Sequence, residues 1–361
     1  MNGIQFVFDP ARLSQARKAL GMTKKDLAQK TSVTPSAITQ FESGIISPSA
    51  ENIENMARSL QVSPDYFKAG RPMFRSADKG IHFRSLRSTS VRDRDKAASY
   101  IERLWELVNF FESEVQLPQV DIPLYPSAKY LPEDAARIIR KEWDMKPGPV
   151  QNLTNFIEFH GAIVSILNLP EGEKIGAFSV WSHERPLILI NPGRTKNVYV
   201  QRFTLAHELG HLVMHDEVIP GDKDQEREAD RFAAEFLLPK DIIKYEIPNR
   251  IDISKYELLS QRWGVSVEAL LYRAKELGIS SEQSIRRGFM NLNLRKSGNN
   301  IYYPPSNMYP GELPKVLSRA AEVIEEEYSI AEISDVIKIP PKFIRLILGE
   351  RDRRPTLKLL E

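Results

Sequence analysis

Apolar side chains in the first seventy residues recur at intervals of three and four, in short runs cut by turn signals. In ARLSQARKALG, Leu13, Ala16, Arg17 and Leu20 share helical spacing and Gly21 is a stop. TKKDLAQKTS follows, with Thr23 and Asp26 spaced as a capping box and Leu27 and Ala28 facing inward. In TPSAITQFESG, Thr34 can cap, Pro35 suits the first helical position and Gly44 closes. SPSAENIENMARSLQ predicts a fourth helix and SPDYF the start of a fifth. Farther on, KAASYIERLWELVNFFESEV carries Ile101, Leu104, Leu107, Val108 and Phe111 on one stripe, an amphipathic helix of about twenty residues. The proline-rich LPQVDIPLYP cannot continue it. We read that helix as a spacer or dimerisation element packed by its stripe.

From Leu131 the pattern becomes mixed. PEDAARIIRKEWDM predicts a helix, and NLTNFIEFHGAIVSIL a helix running into a strand. GAFSVW and PLILIN predict two short strands split by a polar SHER turn. VYVQRFTLAHELGHLVMH predicts a long helix, and Gln225 to Leu237 another. ISKYELLSQRWGVSVEALLYRAKELGIS reads as a helical hairpin packed on this region, residues 283–312 as a turn-rich extended link, and the end as two or three short helices. The expected fold class is α+β and multidomain. A helical bundle spans 1–70, a basic linker and spacer helix 71–125, a mixed domain 126–245 and a mostly helical region 246–361.

Composition narrows this picture only a little. A chain of 361 residues suits two or three domains. Cysteine is absent, so disulfides and thiolate metal sites are excluded and a reducing compartment fits. MNGIQFVFDPARL lacks a signal-peptide pattern, and no apolar run approaches the roughly 18 residues of a membrane span. These features predict a soluble, cytoplasmic protein with no membrane partner. The net charge of +2 does not argue for nucleic acid, so local clustering must. Residues 71–96 hold eight Lys or Arg against three Asp; such a run is usually a solvated linker, though here it is also placed for phosphate contacts. No phosphate-binding glycine loop, repeat or low-complexity tract is present.

Two short helices joined by Thr31-Ser32-Val33 inside a small bundle make a helix-turn-helix arrangement. RLSQARKALGMTKKDLAQKTSVTPSAITQFESGIISPS resembles the Cro and phage-repressor-like (XRE-type) family, with Ala28, Val33, Ile38, Phe41, Glu42 and Gly44 where that family needs core and turn residues. The resemblance implies that the third helix enters the major groove of an operator in DNA. Thr34, Ser36, Thr39 and Gln40 would then face base edges, and Lys24 and Lys25 phosphates. Pro35 stands where the family usually has a polar reader, so one base contact is missing. The competing use of such a bundle is protein binding or dimerisation, which would make the chain a homodimer.

The long helix contains FTLAHELGHLVMH, in which His207-Glu208-Leu209-Gly210-His211 is an HExxH pattern. Residues four apart lie one turn apart on one face, so two imidazoles can converge on one zinc ion. Glu208 is turned by about 100° from His207, where a carboxylate can serve as a base rather than a ligand. His215 lies about 12 Å along the helix axis from His207, too far for both to share an ion, and reads as a helix-terminal or pocket histidine. A carboxylate from the next helix can complete the set. Glu226 is suited to this, with Asp230 one turn on to hydrogen-bond a ligand histidine; Glu228 competes from about 160° round the helix. HELGHLVMH together with EREADRFAAEFLLP resembles the ImmA/IrrE family of zinc-dependent metallopeptidases, over roughly Leu131 to Pro239.

That resemblance implies a minimal gluzincin-like fold, a small sheet over two metal helices, with GAFSVW or PLILIN as an edge strand that aligns an extended peptide. It also implies cleavage of a partner transcriptional repressor, often of helix-turn-helix type, under stress or mobile-element signals. The expected centre is Zn2+ on His207, His211 and Glu226, with Glu208 as general base. Tyr199, His183 and His215 are the candidates to stabilise the oxyanion. The competing function, from another class, is a transcriptional regulator, antitoxin-like in one form, whose metal domain is a sensor or noncatalytic.

Overall fold

Side-chain capping sets where the first helices begin. In α1 (Pro10–Ala19) Asp9 accepts from the backbone of Ala11; in α2 (Lys24–Thr31) Thr23 and Asp26 cap each other's backbone reciprocally. α3 (Pro35–Glu42) starts at Thr34, which accepts from Ala37, and α4 (Ala50–Leu60) at Ser49. Ser32 takes the left-handed conformation, φ 56°, and makes the turn between α2 and α3. Leu13, Leu27, Ile38 and Met56 are buried at the centre of this bundle. The structure, a computed structural model, describes residues 7–74, 82–83, 90–167, 176–182, 184–195, 197–216, 222–297 and 312–349.

A two-residue strand, β1 (His82–Phe83), precedes α5 (Val91–Glu114). α5 starts ahead of the predicted Lys96 because Ser90 and Asp93 form a capping box. Its apolar stripe, Ile101 to Phe111, is buried inside this chain, so the helix is a central strut and does not offer that stripe to a second copy. Polar bonds fasten it to the bundle. Glu106 accepts from Arg12, from Arg71 at 3.1 Å and from Gln15 at 3.3 Å, while Ser99 donates to the backbone of Gln15 at 2.7 Å. Arg71, read from sequence as part of a solvated basic run, is therefore turned into this network.

After α6 (Pro132–Glu142) and α7 (Leu153–Phe159) come β2 (Ile163–Ile166), β3 (Ala177–Ser182) and β4 (Arg185–Ile190). The sheet order is β1-β3-β4-β2, with β2 parallel and β3 antiparallel to β4. PLILIN is thus an interior strand, paired on both sides, and cannot be a peptide-aligning edge. GAFSVW, as β3, meets β1 on its outer side through His82 opposite Ser179 and Phe83 opposite Phe178. The period-2 alternation divides the sheet between two cores. Phe178, Val180, Leu187 and Leu189 join the core built on α5, whereas Ala177, Ile188 and Ile190 face the other way.

That second core is built on α9 (Val198–Met214), which follows the short α8 (Pro192–Thr195), and on α10 (Lys223–Leu237). α11 (Lys240–Glu246), α12 (Ile253–Trp263) and α13 (Val267–Glu276) extend it, tied in by the buried pair of Arg273 and Glu235. The link predicted over 283–312 is corrected at its start, since α14 (Glu282–Ser297) is a helix. Its Ile285 and Leu292 are buried, and Gly288 between them lets the helix approach Leu271 and Ile251. Residues 298–311 lie outside the described part.

Glu312 then plugs into the second core, where its carboxylate accepts from the backbone of Leu153 and Thr154 and pairs with buried Arg202. α15 (Val316–Val323), α16 (Ile330–Ile337) and α17 (Pro341–Leu348) fold back on the first core, where Phe343 stacks on Tyr100 of α5. Glu158 accepts from the amides of Lys315 and Val316 at the start of α15, at 2.9 and 3.3 Å. Burial pushes its carboxyl up to about 7, against the opposing effect of those two amides. Because the folded value lies above the ordinary 4.5, this group's contribution is complete below that pH and is lost as pH rises through about 7. Glu158→Gln keeps an acceptor oxygen without the charge. The stability of wild type relative to Glu158→Gln should fall between pH 5 and 8 by on the order of 2–3 kcal/mol in denaturant titrations, and parallel pH curves would contradict this.

Candidate metal centre and recognition helix

Asn197 caps α9 by accepting from Val200, and the helix then runs through the second core with apolar residues on most sides. His207, Glu208 and His211 are buried within it, and His215 ends it in an extended conformation, φ −115°. Asp222 caps α10, which brings Glu226, Glu228 and Asp230 alongside. Close approach of the two helices depends on Gly210, because a Cβ there would lie 3.0 Å from the ring of Phe232.

The structure brings His207, His211 and Glu226 together. Among the described residues they form a possible metal site, with donor atoms within 4.8 Å of one another. The two Nε2 atoms are 3.0 Å apart, and each lies 3.6 Å from a carboxylate oxygen of Glu226. Ligands at 2.0–2.1 Å on a tetrahedron stand roughly 3.4 Å apart, so this donor set fits a zinc-sized ion. Asp230 lies 2.8 Å from His207 Nδ1 and accepts its proton, which turns the bare Nε2 toward the other donors. Burial by itself would raise the Glu226 carboxyl, but hydrogen bonds and charge from His207 and His211, when those rings are protonated, outweigh it and hold it at about 2. Glu226 is thus ionised over the whole neutral range, as a carboxylate ligand must be.

Glu208 points from α9 to the sheet, where Ser179 Oγ donates to its Oε2 at 2.7 Å. Sequence reading missed Ser179. The available signal was a lone hydroxyl inside GAFSVW, a strand with apolar neighbours on either side. Trp181 Nε1 also donates to the backbone of Leu212 at 3.0 Å and pins β3 to α9.

The other carboxylate weighed as a ligand, Glu228, is not in the donor group. Its Oε2 meets His215 Nε2 at 3.0 Å, and His215 Nδ1 meets His211 Nδ1 at 2.9 Å. His215 therefore sits behind His211 with both ring nitrogens engaged. Burial lowers its pKa, with Glu228 opposing. Tyr199 is buried near the start of α9, and His183 lies outside the described residues.

In the bundle, Thr34, Ser36 and Thr39 are exposed on α3 and its cap, and Gln40 is half-buried. Thr34 Oγ1 is occupied as the cap acceptor, and Thr39 Oγ1 donates to the carbonyl of Pro35 at 3.1 Å. Glu42 pairs with Arg17 at 2.6 and 3.0 Å, fixing α3 against α1, and Lys24 leans on the same carboxylate at 3.7 Å. Lys25 is exposed. From the basic stretch, Arg75, Lys79, Arg84 and Arg87 lie outside the described residues, while Arg92, Arg94 and Lys96 form the outer start of α5.

Residues 161–275 match the peptidase-family model described as the IrrE N-terminal-like domain, and residues 13–67 match the helix-turn-helix model. Together the two matches support an ImmA/IrrE-type architecture. A curated relative, "Vegetative-specific protein H7" of Dictyostelium discoideum, is 34% identical over 64 residues, which is 18% of this chain and 62% of the relative. The chain thus spans less than two thirds of that relative's length. The bundle is thus matched as a helix-turn-helix, and α9 and α10 lie in a peptidase-like domain. Its family is one of metallopeptidases, typically zinc-dependent, with noncatalytic members. Among the described residues, no helix is long and apolar enough to cross a membrane.

The Gly210 contact yields a direct test. Gly210→Val forces a branched side chain onto Phe232 and should cost about 1–3 kcal/mol, read as a lower Tm. Adding Phe232→Leu should restore part of the loss. A Tm equal to wild type would mean that the helices do not need this approach.

Proposed function

We propose that this protein is a DNA-binding, zinc-dependent endopeptidase of the cytoplasm that cleaves a partner transcriptional repressor, or regulates its own operon. The supporting observation is the convergence of His207, His211 and Glu226 beside Glu208, whose carboxylate is oriented by Ser179 from the strand that would align a substrate. In this reading those three residues hold Zn2+, and the ion when bound supplies Lewis acidity toward a peptide carbonyl and toward water. Glu208 takes the proton of the attacking water and passes it to the leaving amine. Ser179 keeps one oxygen of Glu208 engaged so that the other is aimed at the reaction. Asp230 keeps His207 in the tautomer that presents Nε2.

The peptide substrate is extended and adds antiparallel to β3 past its pairing with β1, along residues 180–182. The helix-turn-helix places α3 in the major groove of an operator, with Ser36 and Gln40 as the readers that have no cap duty. Thr34 and Thr39 lie beside them, and Lys25 with Lys24 lies toward phosphates. A helix-turn-helix repressor as substrate would share a site on DNA with the enzyme, which raises the local concentration of one near the other.

Co-expression with repressors encoded beside it tests the enzyme. Wild type should yield fragments detectable by mass spectrometry, and Glu208→Gln at least a hundredfold less. If wild type binds zinc stoichiometrically and cuts no candidate, or if Glu208→Gln cuts equally, the protein is a regulator whose metal domain is noncatalytic. For DNA, fluorescence anisotropy on the operator should show Gln40→Ala losing about 1–3 kcal/mol and relaxing one base position. Lys25→Ala should instead reduce the salt slope by about 1 at every sequence, and identical behaviour of the two variants would contradict these roles.

A further inference from the structure

The carboxylates of α10 divide their partners. Glu226 faces both Nε2 atoms, Asp230 takes His207 Nδ1, and Glu228 reaches neither ligand histidine directly. Its contact is His215 Nε2, and His215 in turn meets His211 Nδ1 at 2.9 Å. The last step is possible because His215 caps α9 and leaves helical geometry, so its ring folds back against the residue one turn earlier. A histidine eight positions from His207 cannot share its ion but can stand directly behind His211.

Proton accounting gives the contact a direction. Carboxylate Glu228 only accepts, so His215 Nε2 carries a hydrogen. A neutral imidazole has one ring hydrogen, which leaves His215 Nδ1 an acceptor. The Nδ1–Nδ1 contact then requires the hydrogen to belong to His211, whose Nε2 is left bare, 3.0 Å from His207 Nε2. We propose that Glu228 and His215 are positioning residues, a two-step relay that orients His211 and holds it in the tautomer presenting Nε2 to a divalent metal. It is the longer counterpart of the single step from Asp230 to His207. Without the relay, the His211 hydrogen can move to Nε2 and stand where the metal would bind.

This inference rests on the metal reading given above, and its test separates the two. In the full-length chain, zinc affinity is measured by competition with a chromophoric chelator, and cobalt is substituted to record the ligand-field spectrum. Glu228→Gln and His215→Ala should each weaken zinc binding 10–100-fold and perturb the cobalt bands. His215→Gln offers a carbonyl to His211 and an amide hydrogen to Glu228, so it should stay within about fivefold of wild type. A merely structural His215 would not be rescued in this way. Melts of the metal-free proteins identify any variant that fails to fold, and Glu228→Gln, at the half-exposed end of the relay, is the decisive one if His215→Ala does. Should wild type bind zinc and lose it in His211→Ala while Glu228→Gln and His215→Ala stay within twofold, the relay is wrong and the metal site stands. Should wild type not bind zinc, or bind it unchanged in Glu226→Ala and His207→Ala, the metal reading falls and the relay with it.

Discussion

Burying His207, Glu208, His211 and His215 along one helix costs several kcal/mol for every group left without a partner, and the surrounding elements lie where those partners are needed. α10 supplies three carboxylates in alternation, and β3 supplies the hydroxyl that meets Glu208. Gly210 lets α10 come close enough for its short acidic side chains to reach. The buried polar groups are not what packing alone would select, since an apolar helix would bury better. Their joint presence is the signature of a site.

The sheet transmits this constraint to the rest of the chain. One face packs on α9 and the other on α5, so the strand that carries Ser179 also carries Phe178 and Val180 into the core shared with the helix-turn-helix bundle. Glu106 fastens α5 to α1, and the C-terminal helices close over the same strut. Glu312 and Glu158, each buried and each accepting from backbone amides, hold the return path of the chain. Bundle, sheet and candidate centre are therefore connected through packed side chains.

Much of this was legible because it is local. Helical period, capping residues and turn glycines place the bundle, α9 and α10, and the four-residue spacing places His207 and His211 on one face. Angles around a single helix also separate Glu226 from Glu228. What escaped depends on distant partners. The buried networks of Arg12 and Glu106, or Arg202 and Glu312, join residues with no sequence relation, so Arg71 looked like linker charge. Strand order is set by pairing across the sheet, which is why PLILIN could be mistaken for an edge. α14 was hidden by polar and glycine content that only its packing against Leu271 and Ile251 explains. Helical rise sets His215 apart from His207, yet its fold-back onto His211 depends on how the helix ends.

In the proposed function, α9 and α10 jointly build one metal centre. Anomalous diffraction at the zinc edge, from crystals of the zinc-loaded chain, tests it most directly. A single strong peak is expected about 2.0–2.2 Å from His207 Nε2, His211 Nε2 and a Glu226 oxygen. A peak on Glu228 or His215, or no peak between the two helices, would contradict it.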